Sequence, residues 1–187
     1  MKEYVILDLE WTSWKGNYYG RNLFYHKREN WQKEEIIQIG AIKFNKNYKI
    51  TDKLNIYVKP KFNPILSDYI RNLTGIKQKK LERKGITFIR SYKIFKSFCK
   101  KTKIFSNGID DLIMKKNLKY NNLKDKKLKI INIKKILNKK YKIPKEFLPS
   151  PIIHTFFGYK LKKNKMHNAI YDCRNVLKTF KKIKFIL

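Results

Sequence analysis

The sequence predicts an α/β fold, with one domain spanning residues 1–187. Three observations support this fold class. The run Tyr4-Val5-Ile6-Leu7 is continuously apolar, which is typical of a strand buried on both faces. Two further strand-like runs follow at residues 35–45 and 50–58. The chain ends in an amphipathic helix whose apolar stripe consists of Ala169, Cys173, Val176, Leu177, Phe180 and Ile183.

The other predicted elements lie between these and are separated by turn signals. Strands are expected at residues 3–9, 35–45, 50–58, 103–106 and 129–133. Helices are expected at residues 66–73, 89–101, 110–118, 134–141, 152–159 and 168–183. Residues 11–34 form a polar and aromatic insertion. No internal repeat or linker-like tract divides the chain, so one α/β domain is the simplest arrangement.

The charge balance predicts a polyanionic partner. The chain has 46 Lys and Arg against 14 Asp and Glu, which gives a formal net charge of +32. Nucleic acid is the simplest partner for such a field. Compositional drift is the alternative, because Lys, Ile and Asn are abundant as in proteins from AT-rich genomes, and we assign about half of the excess charge to it. An acidic protein or a membrane surface is a weaker alternative, since the lysines are spread along the whole chain.

Cysteine content and hydropathy indicate in which cellular compartment the protein is expected. Cys99 and Cys173 form no disulfide framework and have no metal-ligand spacing, so both are expected to be small buried hydrophobes. The N-terminus enters a strand without a signal peptide. No apolar run approaches the roughly 20 residues that cross a bilayer. We therefore expect a cytoplasmic protein with no membrane partner.

Two acids end the first predicted strand. Positions i and i+2 of a strand point to the same side, so Asp8 and Glu10 should project together. Two neighbouring carboxylates are costly to bury unless something positive holds them there. A divalent ion such as Mg²⁺ or Mn²⁺ prefers such oxygens. The alternative is a strand-end turn in which both acids are simply solvated.

Two further acidic points lie at the starts of predicted helices. One is the pair Asp110 and Asp111, and the other is Asp172, preceded by His167. Helix capping alone explains an acid in either place. A separation of five residues is about 140° around a helix, so His167 and Asp172 would not share a helix face. Both can reach one cleft if His167 lies on the loop before the helix.

Together these residues resemble the motifs of the DEDDh family of 3′–5′ exonucleases. The first motif is matched by Asp8-Leu9-Glu10-Trp11-Thr12 and the third by His167 and Asp172. The second motif normally has an aromatic residue before its aspartate, whereas Asn107-Gly108-Ile109-Asp110-Asp111 has Asp110 at that position. Spacing from Asn107 favours Asp111 over Asp110 as the family's aspartate.

The resemblance implies a fold and a chemistry. The fold would be ribonuclease H-like, with a mixed five-stranded sheet flanked by helices. Two Mg²⁺ or Mn²⁺ ions per site would be held by Asp8, Glu10, Asp111 and Asp172, with Asp8 bridging both ions. His167 would be the general base. Trp11 and Thr12 would contact the 3′-terminal nucleotide. The activity would be release of nucleoside monophosphates from single-stranded RNA or DNA 3′ ends.

The insertion combines aromatic and basic side chains. Stacking on bases and neutralisation of phosphates are what a single-strand platform needs. The alternative is a hairpin flap whose aromatics pack on the domain. The residues concerned are Trp11, Trp14, Tyr18, Tyr19, Phe24, Tyr25 and Trp31, with Lys15, Arg21, Lys27 and Arg28.

A second function remains open beside the exonuclease. The chain could be a nucleic-acid-binding protein on an exonuclease scaffold, with little or no catalysis. The departure at Asp110 and Asp111 is the best support for it, whereas the set of acids and His167 argues against it. Metal dependence of hydrolysis separates the two functions.

Overall fold

The computed structural model describes residues 2–15 and 29–185. The strands are β1 (Glu3–Trp11), β2 (Ile36–Asn45), β3 (Ile50–Lys59), β4 (Ile86–Thr87), β5 (Lys103–Ser106) and β6 (Ile130–Asn132). They form a six-stranded sheet in the order β4-β3-β2-β1-β5-β6. The two central strands, β2 and β1, are almost entirely buried, in agreement with their apolar sequences.

The sheet is mixed, as the resemblance implied. β1 pairs antiparallel with β2, placing Ile6 opposite Ile42, and β2 pairs antiparallel with β3. The pairs β1–β5, β5–β6 and β3–β4 are parallel. The prediction of five strands is one short, because β4 has only two residues and is too short to show a strand period.

Six α-helices are found in the described part of the chain. Five follow the predicted segments, whereas the short α2 was missed because Leu81 is its only buried residue and no apolar stripe marks it. Residues 152–159 contain a 3₁₀ helix at Ile153–Phe157. None of the described helices has the length and apolar character needed to cross a bilayer. The helices are α1 (Asp68–Thr74), α2 (Gln78–Lys84), α3 (Phe88–Phe98), α4 (Asp110–Tyr120), α5 (Lys134–Lys139) and α6 (Ala169–Lys182).

Hydrophobic cores cover both faces of the sheet. Along β1, Tyr4 and Ile6 pack with α6, whereas Val5 and Leu7 pack with α3 and α4 on the other face. This confirms the prediction of a strand buried on both sides. Cys99 and Cys173 are free and buried, as expected.

Helix α6 lies unusually close to the sheet because β2 has a glycine beneath it. A Cβ on Gly40 would stand 2.5 Å from the Ala169 Cβ and from the Ala169 carbonyl carbon. The Cys173 thiol donates to the carbonyl oxygens of Ile6 and Gly40, both at 3.4 Å. The Gln38 side-chain oxygen accepts from the Ala169 N–H at 3.4 Å. These contacts fix the first turn of α6 beside the end of β1.

The ends of the insertion are anchored to the sheet. Buried Glu35 accepts hydrogen bonds from the backbone N–H groups of Lys61, Phe62 and Asn63, at 2.5, 2.9 and 2.7 Å. Trp14 and Trp31 pack edge to face, with ring centroids 5.2 Å apart. The other proposed platform aromatics, Tyr18, Tyr19, Phe24 and Tyr25, lie outside the described residues, and so do Arg21, Lys27 and Arg28.

Candidate active site

The end of β1 presents both predicted acids on one face of the sheet. Asp8 and Glu10 continue the alternation of Tyr4 and Ile6, so they point toward α6. Glu10 is buried and Asp8 is half-buried. Because Asp8 sits opposite Gly40 in the β1–β2 pairing, both acids lie next to the close approach of α6.

The start of α6 brings the third motif to the same place. Asn168 caps the helix by accepting from the Tyr171 N–H at 3.3 Å, and Asp172 follows in the first turn, where it is buried. His167 precedes the helix with a left-handed φ of 54°. The loop placement that the spacing required is therefore present. One ligand atom each of Glu10, His167 and Asp172 lie within 4.8 Å of one another.

The second acidic point corrects the sequence-based preference for Asp111. Asp110 is buried and accepts from the Leu9 N–H of β1 at 3.0 Å, and it raises the pKa of Asp8 by charge repulsion. Asp111 points away from the cleft and pairs with Lys115 at 3.5 Å. The reason is that α4 begins at Asp110, and two consecutive helical residues face directions about 100° apart. The structure thus groups Asp110, not Asp111, with Asp8, Glu10 and Asp172.

We call Asp8, Glu10, Asp110, His167 and Asp172 the acid cleft. Burial raises the pKa of Asp8 and of Glu10 well above the usual range, and repulsion by Asp172 and Asp110 adds to this. Burial also raises the pKa of Asp110 to about 7 and that of Asp172 to about 8. The pKa of His167 is lowered by desolvation. The protein alone therefore opposes full ionisation of these carboxyls.

The donor chemistry of the acid cleft fits divalent cations. Carboxylate oxygens are the ligands that Mg²⁺ and Mn²⁺ prefer. The Asp172 Oδ1 is buried and has no hydrogen-bond partner among the described residues. A buried carboxylate oxygen without a donor is costly unless a cation faces it. Capping alone, or a solvated strand end, does not account for this convergence.

Two residues that were not predicted as site residues support Asp8. The Ser150 hydroxyl hydrogen-bonds to Asp8 and lowers its pKa slightly against the larger effect of burial. The Asn107 side-chain amide donates to the Leu148 carbonyl at 2.6 Å and to the Ser150 Oγ at 3.3 Å. No sequence pattern singles out Ser150, because a serine between Pro149 and Pro151 gives no catalytic signal.

The cleft around these groups has a volume of about 310 Å³. Trp11 lines it, together with Tyr69 and Leu73 of α1. Thr12 does not line it. The Thr12 side chain is buried, its hydroxyl donates to the Lys33 carbonyl at 2.6 Å, and it accepts from the Glu35 N–H at 2.8 Å. The Thr12 hydroxyl therefore has a structural role, and the contact of Thr12 with a substrate stays a prediction.

Lys134, at the start of α5, also lines the acid cleft, and its side chain is exposed. It was not predicted as a site residue, because one lysine among 46 basic residues carries no distinguishing signal. Its position sets a cation at the mouth of a cleft whose interior is acidic.

A comparison with known protein families identifies the family of the chain. The exonuclease family model, RNase T, matches residues 5–180. The chain belongs to this exonuclease family. The matched range contains the acids of β1, α4 and α6, and the resemblance to DEDDh exonucleases is thereby confirmed. The family and its relatives support a nuclease.

Solved structures share the fold along almost the whole exonuclease chain. A 3′-exonuclease recognising the 3′ end of a histone mRNA stem-loop has a TM-score of 0.80 at 23% identity, covering 98% of this chain and 81% of that one. The nuclease domain of 3′hExo, a DEDDh family member bound to rAMP, has a TM-score of 0.78 at 24% identity, with coverages of 98% and 92%. E. coli exonuclease I with a dT13 oligonucleotide has a TM-score of 0.73 at 13% identity, with coverages of 99% and 41%. These likenesses confirm the ribonuclease H-like fold.

One curated relative adds sequence similarity. ERI1 exoribonuclease 2 of Xenopus laevis is 33% identical over 79 residues. The match covers 42% of this chain and only 10% of that protein. The chain therefore corresponds to a small part of that relative.

Proposed function

We propose that this protein is a metal-dependent 3′–5′ exonuclease that releases nucleoside monophosphates from the ends of single-stranded RNA or DNA. The observation that carries the proposal is the convergence of four carboxyls and one histidine from three separate chain segments. A chain with a net charge of +32 has few acids, and four of them are gathered in one cleft. A purely binding surface has no use for such a group.

Asp8, Glu10, Asp110 and Asp172 would hold the divalent ions, Mg²⁺ or Mn²⁺, with two ions per site. Bound ions of this kind activate a water, neutralise the phosphate and stabilise the leaving oxygen in phosphodiester hydrolysis. The chain's contribution is to fix the carboxylates before the substrate arrives. The Leu9 N–H holds Asp110, the Ser150 hydroxyl holds Asp8, and the first turn of α6 holds Asp172.

His167 would accept the proton of the attacking water at an imidazole nitrogen. Desolvation lowers its pKa, so the ring is neutral and able to accept a proton near pH 7. The backbone N–H of His167 donates to Asp172, which ties the turn to the acids. The left-handed φ of His167 is an uncommon conformation for a residue other than glycine, and such strain clusters at functional sites.

The walls of the cleft suit the end of a single strand. A volume of about 310 Å³ is at the lower end of the range for ligand pockets, which fits a terminal nucleotide rather than a duplex. Trp11, Tyr69 and Leu73 offer apolar and aromatic surfaces to a base or sugar. Lys134 at the mouth would contact a phosphate. Two of the solved neighbours hold rAMP and a dT13 oligonucleotide, which supports a nucleic-acid end as substrate.

The deciding experiment uses 5′-labelled single-stranded RNA and DNA of matched sequence. Each is incubated with the purified protein and Mn²⁺ or Mg²⁺, beside EDTA and Asp8→Ala controls. We expect a ladder that shortens from the 3′ end and disappears in both controls. Strands that are retarded in a gel but never shortened would instead leave a nucleic-acid-binding protein on an exonuclease scaffold.

A further inference from the structure

A second, wider groove lies away from the acid cleft. It has a volume of about 930 Å³ and opens between α3, the start of β5, the segment after α4, and β6. β5 runs from Lys103 at this groove to the turn before Asp110, so the groove and the cleft are at opposite ends of one strand. Four residues of strand separate them by roughly 13 Å. We call it the lysine groove.

The floor of the lysine groove is aliphatic. Ile104 belongs to the core beneath it, whereas Ile89 and Ile131 remain 41% and 38% exposed. Apolar side chains of this size are normally covered when they form a continuous surface. The apolar floor consists of Ile89, Cys99, Ile104, Leu123, Leu128 and Ile131.

The rim of the lysine groove is strongly cationic. Seven of its sixteen lining residues are lysines and none is acidic. The nearby Asp125 is already neutralised, because it pairs with Lys96 at 2.5 Å and accepts from the Tyr92 hydroxyl at 2.6 Å. The other six lysines form no ion pair with any residue that the structure describes. The rim therefore offers uncompensated positive charge around an apolar floor.

This combination distinguishes between two anionic partners. Single-stranded nucleic acid needs exposed aromatic faces for its bases beside cations for its phosphates. The aromatic side chain in the groove, Tyr92, is only 6% exposed and its hydroxyl is occupied by Asp125. A nucleic acid would thus use the rim and leave the floor uncovered. An amphipathic acidic helix would use both, with its apolar face on the floor and its carboxylates at the rim.

We propose that the lysine groove binds an acidic amphipathic segment of a partner protein. Leucine-like side chains would cover Ile89 and Ile131, and flanking Asp or Glu residues would pair with the rim lysines. Because the groove opens at the far end of β5, the bound segment leaves the acid cleft accessible. The interaction is independent of hydrolysis and survives in a protein with the Asp8→Ala substitution.

The test measures fluorescence anisotropy of a labelled peptide of about 18 residues, long enough for a stable helix. Leucine recurs in it every three or four positions, glutamate flanks that stripe and alanine fills the rest. A scrambled peptide of the same composition has the same charge but no apolar face. We expect the full-length protein to bind the patterned peptide at least about tenfold more tightly than the scrambled one.

Matched substitutions locate the binding. Ile131→Glu should weaken the patterned peptide at least about tenfold, whereas Ile136→Glu should change its affinity less than about twofold. Ile136 is 37% exposed but lies outside the groove, so the two substitutions place the same charge on equally exposed isoleucines. The double substitution Lys100→Glu and Lys101→Glu, on the exposed rim, should also weaken binding and does not disturb the core.

Three results would overturn the proposal. The first is equal binding of the patterned and scrambled peptides. The second is an equal effect of Ile131→Glu and Ile136→Glu on the affinity for the patterned peptide. In the third, a single-stranded oligonucleotide would bind in place of the peptide and lose affinity with Ile131→Glu. That last result would assign the groove to nucleic acid.

Discussion

The acid cleft and the lysine groove lie at opposite ends of β5. The charged groups of the cleft are buried acids, whereas those of the groove are exposed lysines. In the cleft, Asp110 and Asp172 are buried, and their pKa values rise to about 7 and about 8. In the groove, Lys100, Lys101 and Lys103 are exposed to solvent. Buried like charges require a cation, whereas solvated lysines are stable without any counterion.

This difference shows which part of the charge is tied to chemistry. The net charge of +32 comes from an excess of lysines. Exposed lysines lower the stability of the fold only slightly, and their number is consistent with compositional drift. The acids of the cleft cost the fold stability, and the structure nevertheless groups them in one cluster. The unfavourable burial of Asp8, Glu10, Asp110 and Asp172 is thus better support for catalysis than the total charge is for nucleic-acid binding.

Substitution of the two adjacent aspartates, Asp110 and Asp111, should have the largest effect and tests which of them belongs to the acid cleft. Asp110→Asn should reduce hydrolysis to the level seen with EDTA, because it removes a carboxylate from the cleft while its amide oxygen still accepts from the Leu9 N–H. Asp111→Asn should keep the rate within about twofold, because Asp111 does not line the cleft and its half-buried side chain pairs with the exposed Lys115. Rates on labelled RNA measure both. An equal loss of hydrolysis rate in the two variants would show that Asp111 also contributes to the active site.

Removal of the proposed base should have the next largest effect. His167→Ala should lower the rate about 10²–10⁴-fold. His167→Asn is a better-matched substitution, because asparagine tolerates the positive φ at this position. At saturating Mn²⁺, which keeps the carboxylates ionised, the lowered pKa of His167 predicts a rate that rises with pH and levels off below pH 6.5, since the neutral ring is the base. An unchanged rate, or an acid limb that persists in His167→Asn, would contradict the assignment.

The close approach of α6 to the sheet can be tested by adding a methyl group at Gly40, between the two. Gly40→Ala should destabilise the protein by about 1–3 kcal/mol, because its Cβ would stand 2.5 Å from Ala169. Gly85→Ala is the matched control, since its Cβ would lie 2.4 Å from the Leu81 carbonyl, away from the cleft. Urea denaturation measures both. Only Gly40→Ala should also slow hydrolysis when both proteins are folded, and equal rates would show that α6 does not position Asp172.

The sequence predicted the parts of the fold and site that depend on local pattern. Period-two alternation along β1 placed Asp8 and Glu10 on one face, and the helical stripe placed Asp172 at the start of α6. The requirement that His167 lie before the helix also held. Each of these follows from residues close together in sequence.

Features that depend on distant packing were not predictable. Spacing from Asn107 favoured Asp111, but the first residue of α4 decides which carboxylate faces β1, and helix ends are uncertain by one or two residues. Thr12 matched a motif, yet its hydroxyl is taken by Lys33 and Glu35 across the insertion. Ser150 approaches Asp8 only through the folded sheet.

The ionisation of the acid cleft should also make the stability of the protein depend on pH. Asp110 and Asp172 have folded pKa values of about 7 and about 8, above the roughly 3.9 of an unfolded aspartate. Between these values the native state holds protons that the unfolded chain has released, so raising the pH favours unfolding. In EDTA, the free energy of unfolding should therefore fall as the pH rises from about 4 to about 8.

Divalent ions should oppose this fall, because they bind the ionised carboxylates of the native state and not the unfolded chain. Chemical denaturation with and without Mn²⁺ measures the difference, which should be larger at pH 8 than at pH 5. Asp172→Asn should flatten the pH dependence in EDTA, since it removes a group that ionises only at a cost. Lys100→Gln, on the groove rim, should leave the dependence unchanged. A slope in Asp172→Asn as steep as in the unsubstituted protein would mean that Asp172 does not contribute to the pH dependence.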